Sequence, residues 1–334
     1  MAAEMPAARP GRRAVLLAAA ALAAPRLAPA QEAARDWPNR PIRIVVPSPT
    51  GGYDIYARLL APKLAERLGQ PVVVDNRVGA NGNVGMAEVA RAPADGHTIL
   101  FAATGTLAIN VSVYRNMPAD PFADLIPVGL AVTVPMVWLA SPAATWLRGL
   151  PDLIARAREM PGKVDYALPA SGSLNHLIVE RFKQRHGLDI TPIPYRGTAA
   201  AQTDLIGGRI PVMVDSLGAA SGHIAAGRVV PLAVTTRARA QAAPELPSVI
   251  ELGLDDREYV GWYAFMAPRG TPAPAVAKFH AAFAAILAEE EVAARIRQLG
   301  AVPSPTGPEG LASFMAEERE VWGSIVRAAG VEPQ

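Results

Sequence analysis

The strongest constraint on this chain is a rhythm: short apolar runs alternate with segments of helical period, and the alternation restarts midway. Ile42-Arg43-Ile44-Val45-Val46 is β-branched and stops at Pro47, so it reads as a strand. Segment 53–68 then places Ile55, Leu59, Leu60, Leu64 and Leu68 on one helix face, and Gly69 stands where that helix should end. Val72-Val73-Val74 is a second strand, 83–92 a short helix and 98–102 a third strand. That order predicts parallel strands with right-handed crossovers. A second series follows, with strands at 136–140, 164–168, 190–194, 211–215 and 232–235, and helices at 150–160, 174–186 and 198–206. Late in the chain 261–267 is strand-like. Segments 275–287 and 311–328 are helical, the first carrying the acidic run Glu289-Glu290-Glu291. This last stretch has too few strands for a third domain, so it is expected to return and complete the first sheet. The expected fold is α/β: two α/β lobes joined by a two-crossing hinge, with a cleft between them.

The first thirty residues have a different character. Arg9, Arg12 and Arg13 precede an apolar run of eleven residues, 14–24, which is too short to span a bilayer as a helix. Ala28-Pro29-Ala30 follows. A charged start, a short apolar middle and a small-residue site together make a secretory signal peptide, cleaved after Ala30. The Arg12-Arg13 pair suits twin-arginine export, and the general secretory route stays open. The expected place of work is therefore the periplasm. The expected organisation is 1–30 signal peptide, 31–133 with 259–334 as a discontinuous first lobe, and 134–258 as the second.

Charge and composition exclude several functions. The chain holds 32 Lys+Arg against 30 Asp+Glu, and residues 1–30 hold four arginines against Glu4 alone. Removing them takes the formal charge from +2 to −1, which leaves no basic footprint for nucleic acid. With 51% apolar residues the chain has ample material for a core. It has no cysteine, so disulfides, thiolate metal sites and cysteine nucleophiles are excluded. An exported protein without disulfides must be stable by packing alone.

Ligands in open α/β sheets bind beyond the carboxyl ends of the strands, so those loops hold the candidate residues. After the first strand, Thr50-Gly51-Gly52-Tyr53-Asp54 leads into a helix. Glycines let backbone approach a ligand, and the helix start offers free N–H groups suited to a carboxylate or phosphate. The same stretch is equally a tight turn with Asp54 as N-cap. In the second series, Ala170-Ser171-Gly172-Ser173 leads into a helix in the same manner, with His176 one turn inside. Ser173 alone would read as a cap, but two such loops in matching places could clamp one anionic group between them. Thr104-Gly105, Tyr195-Arg196-Gly197 and Asp215 also stand at strand ends; each is as readily a loop hydrogen bond as a ligand contact. Gly79-Ala80-Asn81-Gly82-Asn83-Val84-Gly85 lacks the middle glycine of a dinucleotide fingerprint, so a nucleotide is discounted. There is no nucleophile elbow, no HExxH and no phosphate-binding GxxxxGK[ST], so neither cofactor nor metal is expected.

Several segments, in order, carry a resemblance. They are Arg40-Pro41-Ile42-Arg43-Ile44-Val45-Val46-Pro47, then Val73-Val74-Asp75-Asn76-Arg77-Val78-Gly79-Ala80-Asn81-Gly82-Asn83-Val84-Gly85, and Asp95-Gly96-His97-Thr98-Ile99-Leu100. Pro161-Gly162-Lys163-Val164-Asp165-Tyr166-Ala167, Pro194-Tyr195-Arg196-Gly197, Thr203-Asp204-Leu205-Ile206-Gly207-Gly208 and Leu232-Ala233-Val234-Thr235 complete the series. Together they resemble the Bug family of periplasmic solute receptors, the binding components of tripartite tricarboxylate transporters. The resemblance implies a type II periplasmic-binding-protein fold and a monomer that presents a small organic acid to membrane transporter subunits. It also implies a carboxylate held by the two helix-initiating loops, largely through backbone N–H groups and ordered water. Thr104, Tyr195, Arg196, Gly197 and Asp215 then fall where family members line the pocket.

The sequence departs from the family pattern at three places. Ser48 stands where an aromatic residue is usual. One residue, Tyr53, separates the glycine pair from Asp54 where two are usual. Leu168 and Ala170 replace a serine and a glycine of the second loop. The lost hydroxyl and added methyls at Leu168 and Ala170 make that wall more apolar, so a ligand of more apolar or aromatic character than a short dicarboxylate is expected. Two rival readings are a secreted α/β enzyme using Asp215 and His176 as acid and base, and a receptor reporting its ligand to a membrane sensor.

Overall fold

A computed structural model describes residues 36–49 and 53–331. The signal-peptide reading of 1–30 and the loop residues Thr50, Gly51 and Gly52 therefore lie outside the described residues. Contacts divide the chain after Trp37, and every strand and helix below belongs to the larger unit that starts at Pro38.

β1 (Ile42–Val46) is buried along nearly its whole length and pairs in parallel with β2 (Val72–Asn76) and β3 (Thr98–Ala103). An internal parallel strand is covered on both faces, which is why its sequence is a run and not an alternation. β2 is the sheet edge, and its Val73 is 53% exposed. Between β1 and β2 runs α1 (Asp54–Leu68), ended by Gly69 in the left-handed conformation with φ 72°. α2 (Asn83–Ala90) follows β2. After β3 the chain makes one wide π turn, Gly105–Ile109, and a short α3 (Asn110–Val113).

β4 (Leu125–Ala140) has 16 residues, where the sequence suggested only its last five as a strand. Pro127 and Pro135 hid the rest, because a strand prolyl cannot donate to its neighbour and reads as a stop. The strand shifts register where it passes Pro127. Its first part pairs antiparallel with β9 (Val260–Pro268), as far as Pro135 against Val260. Its last part, Met136 to Ala140, pairs antiparallel with β7 (Val212–Ser216). It also pairs with β8 (Val230–Val234). One strand is thus shared by two sets of partners. β5 (Asp165–Leu168) lies between β7 and β6 (Thr191–Pro194), parallel to both. The helices here are α4 (Leu150–Glu159), α5 (Leu174–His186), α6 (Thr198–Ile206) and α7 (Leu217–Ala225).

The C-terminal segment returns to the first strands, as the sequence suggested: β9 pairs antiparallel with β3. α8 (Ala273–Leu287) ends before the acidic run, and Glu290 opens a separate helix, α9 (Glu290–Gln298). β10 (Val302–Thr306) pairs with β4, and α10 (Pro308–Ala328) closes the fold. Phe101, Phe265, Phe279 and Phe283 fill one part of the core, with the Phe101 and Phe265 centroids 4.7 Å apart. Trp138 packs on Phe182 at 4.8 Å on the far side of the shared strand. Among the described residues no helix is long and apolar enough to cross a membrane.

Candidate functional site

A cavity of about 360 Å³ opens at the carboxyl ends of β1, β2 and β3, which are parallel to one another, and of β5, which belongs to the other parallel set. The turn after β1 supplies Pro47, Ser48 and Pro49, and the segment after β2 supplies Val78 to Gly82. Ala103 ends β3, Gly105, Thr106 and Asn110 follow it, and after β5 come Gly172, Ser173 and Leu174. Tyr53 completes the wall. Four of these residues stand at helix starts: Tyr53 caps α1, Gly82 caps α2, Gly105 begins the π turn and Ser173 caps α5. Helix starts carry unsatisfied N–H groups and a partial positive charge, and these favour an anion. None of the described residues on this wall is charged. An anion here meets backbone dipoles and hydroxyls, without a formal countercharge.

Each wall is fixed from behind. Asn76 donates from Nδ2 to the Ser48 carbonyl at 2.8 Å, and Arg58 donates to Asn76 Oδ1 at 2.6 Å. The 78–82 segment is the most constrained. Ala80 and Asn81 both have positive φ, 45° and 50°, a conformation that costs an L-residue energy and must be imposed by its surroundings. The Asn81 carbonyl accepts from Thr106 Oγ1 at 3.0 Å and from Asn110 Nδ2 at 3.0 Å. Asn110 Nδ2 also donates to Asn83 Oδ1 at 2.8 Å, and both asparagines are buried. The Tyr53 hydroxyl reaches Thr106, and burial raises the Tyr53 phenol above its ordinary range, so it stays neutral. The Tyr53 ring stacks on Tyr263 at 4.8 Å.

At the second wall Ser173 behaves as a cap. Its Oγ accepts from the His176 N–H at 3.3 Å. His176 Nδ1 in turn accepts from the Gly172 N–H at 3.0 Å. Gly172 has φ 69°, and a side chain there would meet Val113 of α3 at 2.8 Å.

The expected residues divide into three sets. Tyr53, Gly105, Gly172 and Ser173 lie on the cavity wall, whereas Thr50, Gly51 and Gly52 are outside the described residues. The remainder are not brought to the wall. Asp54 is not the N-cap of α1; Tyr53 is, and the buried Asp54 carboxylate instead accepts from Arg58 Nε at 2.9 Å. Thr104 faces the core, where its hydroxyl accepts from Trp262 N at 2.8 Å and so ties β3 to β9. Ala170 and Ser171 point to solvent. The Tyr195 hydroxyl donates to Asp204 Oδ2 at 3.1 Å, Arg196 is exposed, and the Gly197 N–H is bonded to the Pro169 carbonyl.

Asp215 is buried and accepts from Gln202 Nε2 and Ser216 N, both at 2.7 Å. Burial pushes its carboxyl up to about 6, against the lowering effect of those two bonds. His176 and Asp215, the pair an enzyme would need, are each engaged elsewhere. Sequence reasoning missed the 78–82 wall, Thr106 and Asn110. The signal was present in the Gly79-Ala80-Asn81-Gly82 run, whose glycines fail as a nucleotide loop but stand within a segment that carries the family resemblance.

The model of the tripartite tricarboxylate transporter family receptor matches residues 56–331. BugT of Bordetella pertussis is 35% identical over 320 residues, covering 95% of this chain and 96% of the relative. The structure of Rpa4515 from R. palustris with adipate superposes with a TM-score of 0.80 at 36% identity, covering 89% of this chain and all of the other. MatC from Rhodopseudomonas palustris with bound malate gives 0.75 at 30% identity, covering 87% of this chain and all of the other. These proteins are binding proteins and not enzymes, which removes the acid–base reading of Asp215 and His176. The chain belongs to the tripartite tricarboxylate transporter receptor family, the Bug-type periplasmic solute receptors with a type II periplasmic-binding-protein fold.

Proposed function

We propose that this receptor captures a small carboxylate-bearing organic acid in the periplasm and delivers it to the membrane subunits of a tripartite tricarboxylate-type transporter. Residues 1–30 direct export and are removed. The ligand closes two lobes, 31–133 with 259–334 and 134–258, by touching both; a ligand shifts such an equilibrium only through contacts that differ between the open and closed states. The observation that carries this reading is the meeting of four helix starts on one uncharged cavity wall. The carboxylate sits at the Ser173 helix start, opposite the turn after β1.

The rest of the ligand meets apolar surface. Leu168 and Ala170, the substitutions that first suggested an apolar pocket, do not line the cavity, whereas Pro47, Pro49, Val78 and Leu174 do. The preference for an apolar or aromatic acid therefore rests on those four. A thermal-shift screen of organic acids tests it, since a ligand bound only by the native state raises the melting temperature. Aromatic and longer-chain acids should raise it more than malate or citrate. A clear win for malate or citrate would refute the apolar preference. Turnover of a bound acid would refute the receptor reading itself.

A further inference from the structure

His176 does not touch the cavity, although it sits one turn inside the helix that Ser173 caps. Its imidazole is buried, and its Nδ1 accepts from the Gly172 N–H at 3.0 Å. In an ordinary capping box, the third helical residue bonds back to the N–H of the cap itself. Here the third residue reaches one position further, to the N–H before the cap. Gly172 is thereby held from two sides, by the His176 ring and by Val113 of α3. Building on the proposed receptor function, we infer that His176 is a positioning residue. As a neutral imidazole it fixes the Gly172–Ser173 wall in its binding shape, and its protonation releases that wall.

The chemistry follows from one lone pair. An imidazole can accept at Nδ1 only while that nitrogen is unprotonated, so the structure requires the Nε2–H tautomer. A proton on Nδ1 would set two donors, the ring and the Gly172 N–H, against each other inside a buried turn. Nε2 lies 3.7 Å from Glu180 Oε1. That carboxylate is already claimed by Lys183 Nζ at 2.7 Å and by the Tyr166 hydroxyl of β5 at 2.8 Å. Arg181 and Arg185, on the same helix, are engaged with Tyr259 and Asp256. Burial lowers the His176 pKa below the ordinary imidazole value; Glu180 opposes this and Lys183 adds to it. The neutral form thus persists at neutral pH, and acid undoes it.

Nitrogen-15 NMR of the mature protein tests this without a ligand. At neutral pH His176 should show a bare Nδ1 and a protonated Nε2, and the Gly172 and Ser173 amide signals should move with His176 as it titrates. A protonated Nδ1 at neutral pH, or amides indifferent to the titration, would overturn the inference. Calorimetry with adipate as probe adds a functional arm. His176→Leu should weaken binding about tenfold, the effect of losing one buried hydrogen bond. His176→Asn restores an acceptor near the Nδ1 position, so it should bind like wild type yet lose the wild-type fall in affinity on acidification. A pH profile that survives in His176→Asn would also overturn the inference. Absence of adipate binding by wild type at every pH would count against the proposed ligand class, and the NMR result would still decide the role of His176.

Discussion

Replacing Gly172 by alanine tests the geometry of the second wall most sharply. Two costs add. At φ 69° a β-carbon is strained, at about 1–2 kcal/mol for a left-handed L-residue. The new methyl would also stand 2.8 and 3.0 Å from the two γ-carbons of Val113, an overlap that typically costs about 1–3 kcal/mol when packing cannot relax. The expected loss is about 2–5 kcal/mol, a large share of a typical stability of about 5–15 kcal/mol. Urea denaturation followed by tryptophan fluorescence reads it, since Trp138, Trp262 and Trp322 are fully buried. Val113→Ala separates the two costs. Alone it should destabilise by about 2 kcal/mol through lost burial. In the Gly172→Ala background it should cost much less, because it makes room for the new methyl. The coupling in that cycle should reach about 1–2 kcal/mol. Strict additivity, or a Gly172→Ala loss below about 0.5 kcal/mol, would refute the packing described for this loop.

Three other predictions follow from particular groups. Asn110→Ala leaves the buried Asn83 oxygen without its donor and takes one of two donors from the Asn81 carbonyl, so it should cost about 2–3 kcal/mol and weaken ligand binding, read by denaturation and calorimetry. Asp215 is raised to about 6 by burial, so the folded state binds its proton more tightly than the unfolded state does. This group's contribution to stability should therefore fall as pH rises from about 4 through about 6, and Asp215→Asn should remove that slope in melting curves measured across the window. N-terminal sequencing of protein from a periplasmic extract should begin at Gln31; a chain starting at Met1 would refute the export reading.

Much of the fold was legible where strands alternate with helices and pair in parallel, as β1, β2 and β3 do, and as β5 does with β6 and β7. The buried parallel strand β1 is rich in Val and Ile, Gly69 ends α1 in a left-handed cap where the sequence placed it, and Gly187 ends α5 in the same way. Pattern reading failed where one strand serves two sets of partners. Two prolines concealed most of β4, and nothing local marks Pro135–Met136 as the point where its neighbours change from β9 to β7 and β8. α7 and α9 have no counterpart in the sequence reading: α7 begins directly after β7, and α9 opens on the acidic run that was assigned to the helix before it.

The site divided along similar lines. Ser173 and Gly172 could be found from local cap chemistry. Asn110 and Thr106 could not, because what they hold is a carbonyl 29 and 25 residues away. Thr104, Tyr195 and Asp215 stand at strand ends as expected, but a residue's place at a strand end does not say which way its side chain turns. Theirs turn to Trp262, Asp204 and Gln202.

In the proposed receptor a carboxylate binds at the Ser173 helix start by backbone dipoles. A crystal structure of the mature protein with the acid that ranks first in the thermal-shift screen tests this directly. A carboxylate oxygen should lie at hydrogen-bond distance, about 2.7–3.2 Å, from the first N–H groups of the helix that Ser173 caps or from the Ser173 hydroxyl, with the rest of the ligand against Val78 and Leu174. A carboxylate placed instead against Arg196, or in the separate cavity behind Tyr53 lined by Tyr56, Tyr263 and Ser216, would contradict it.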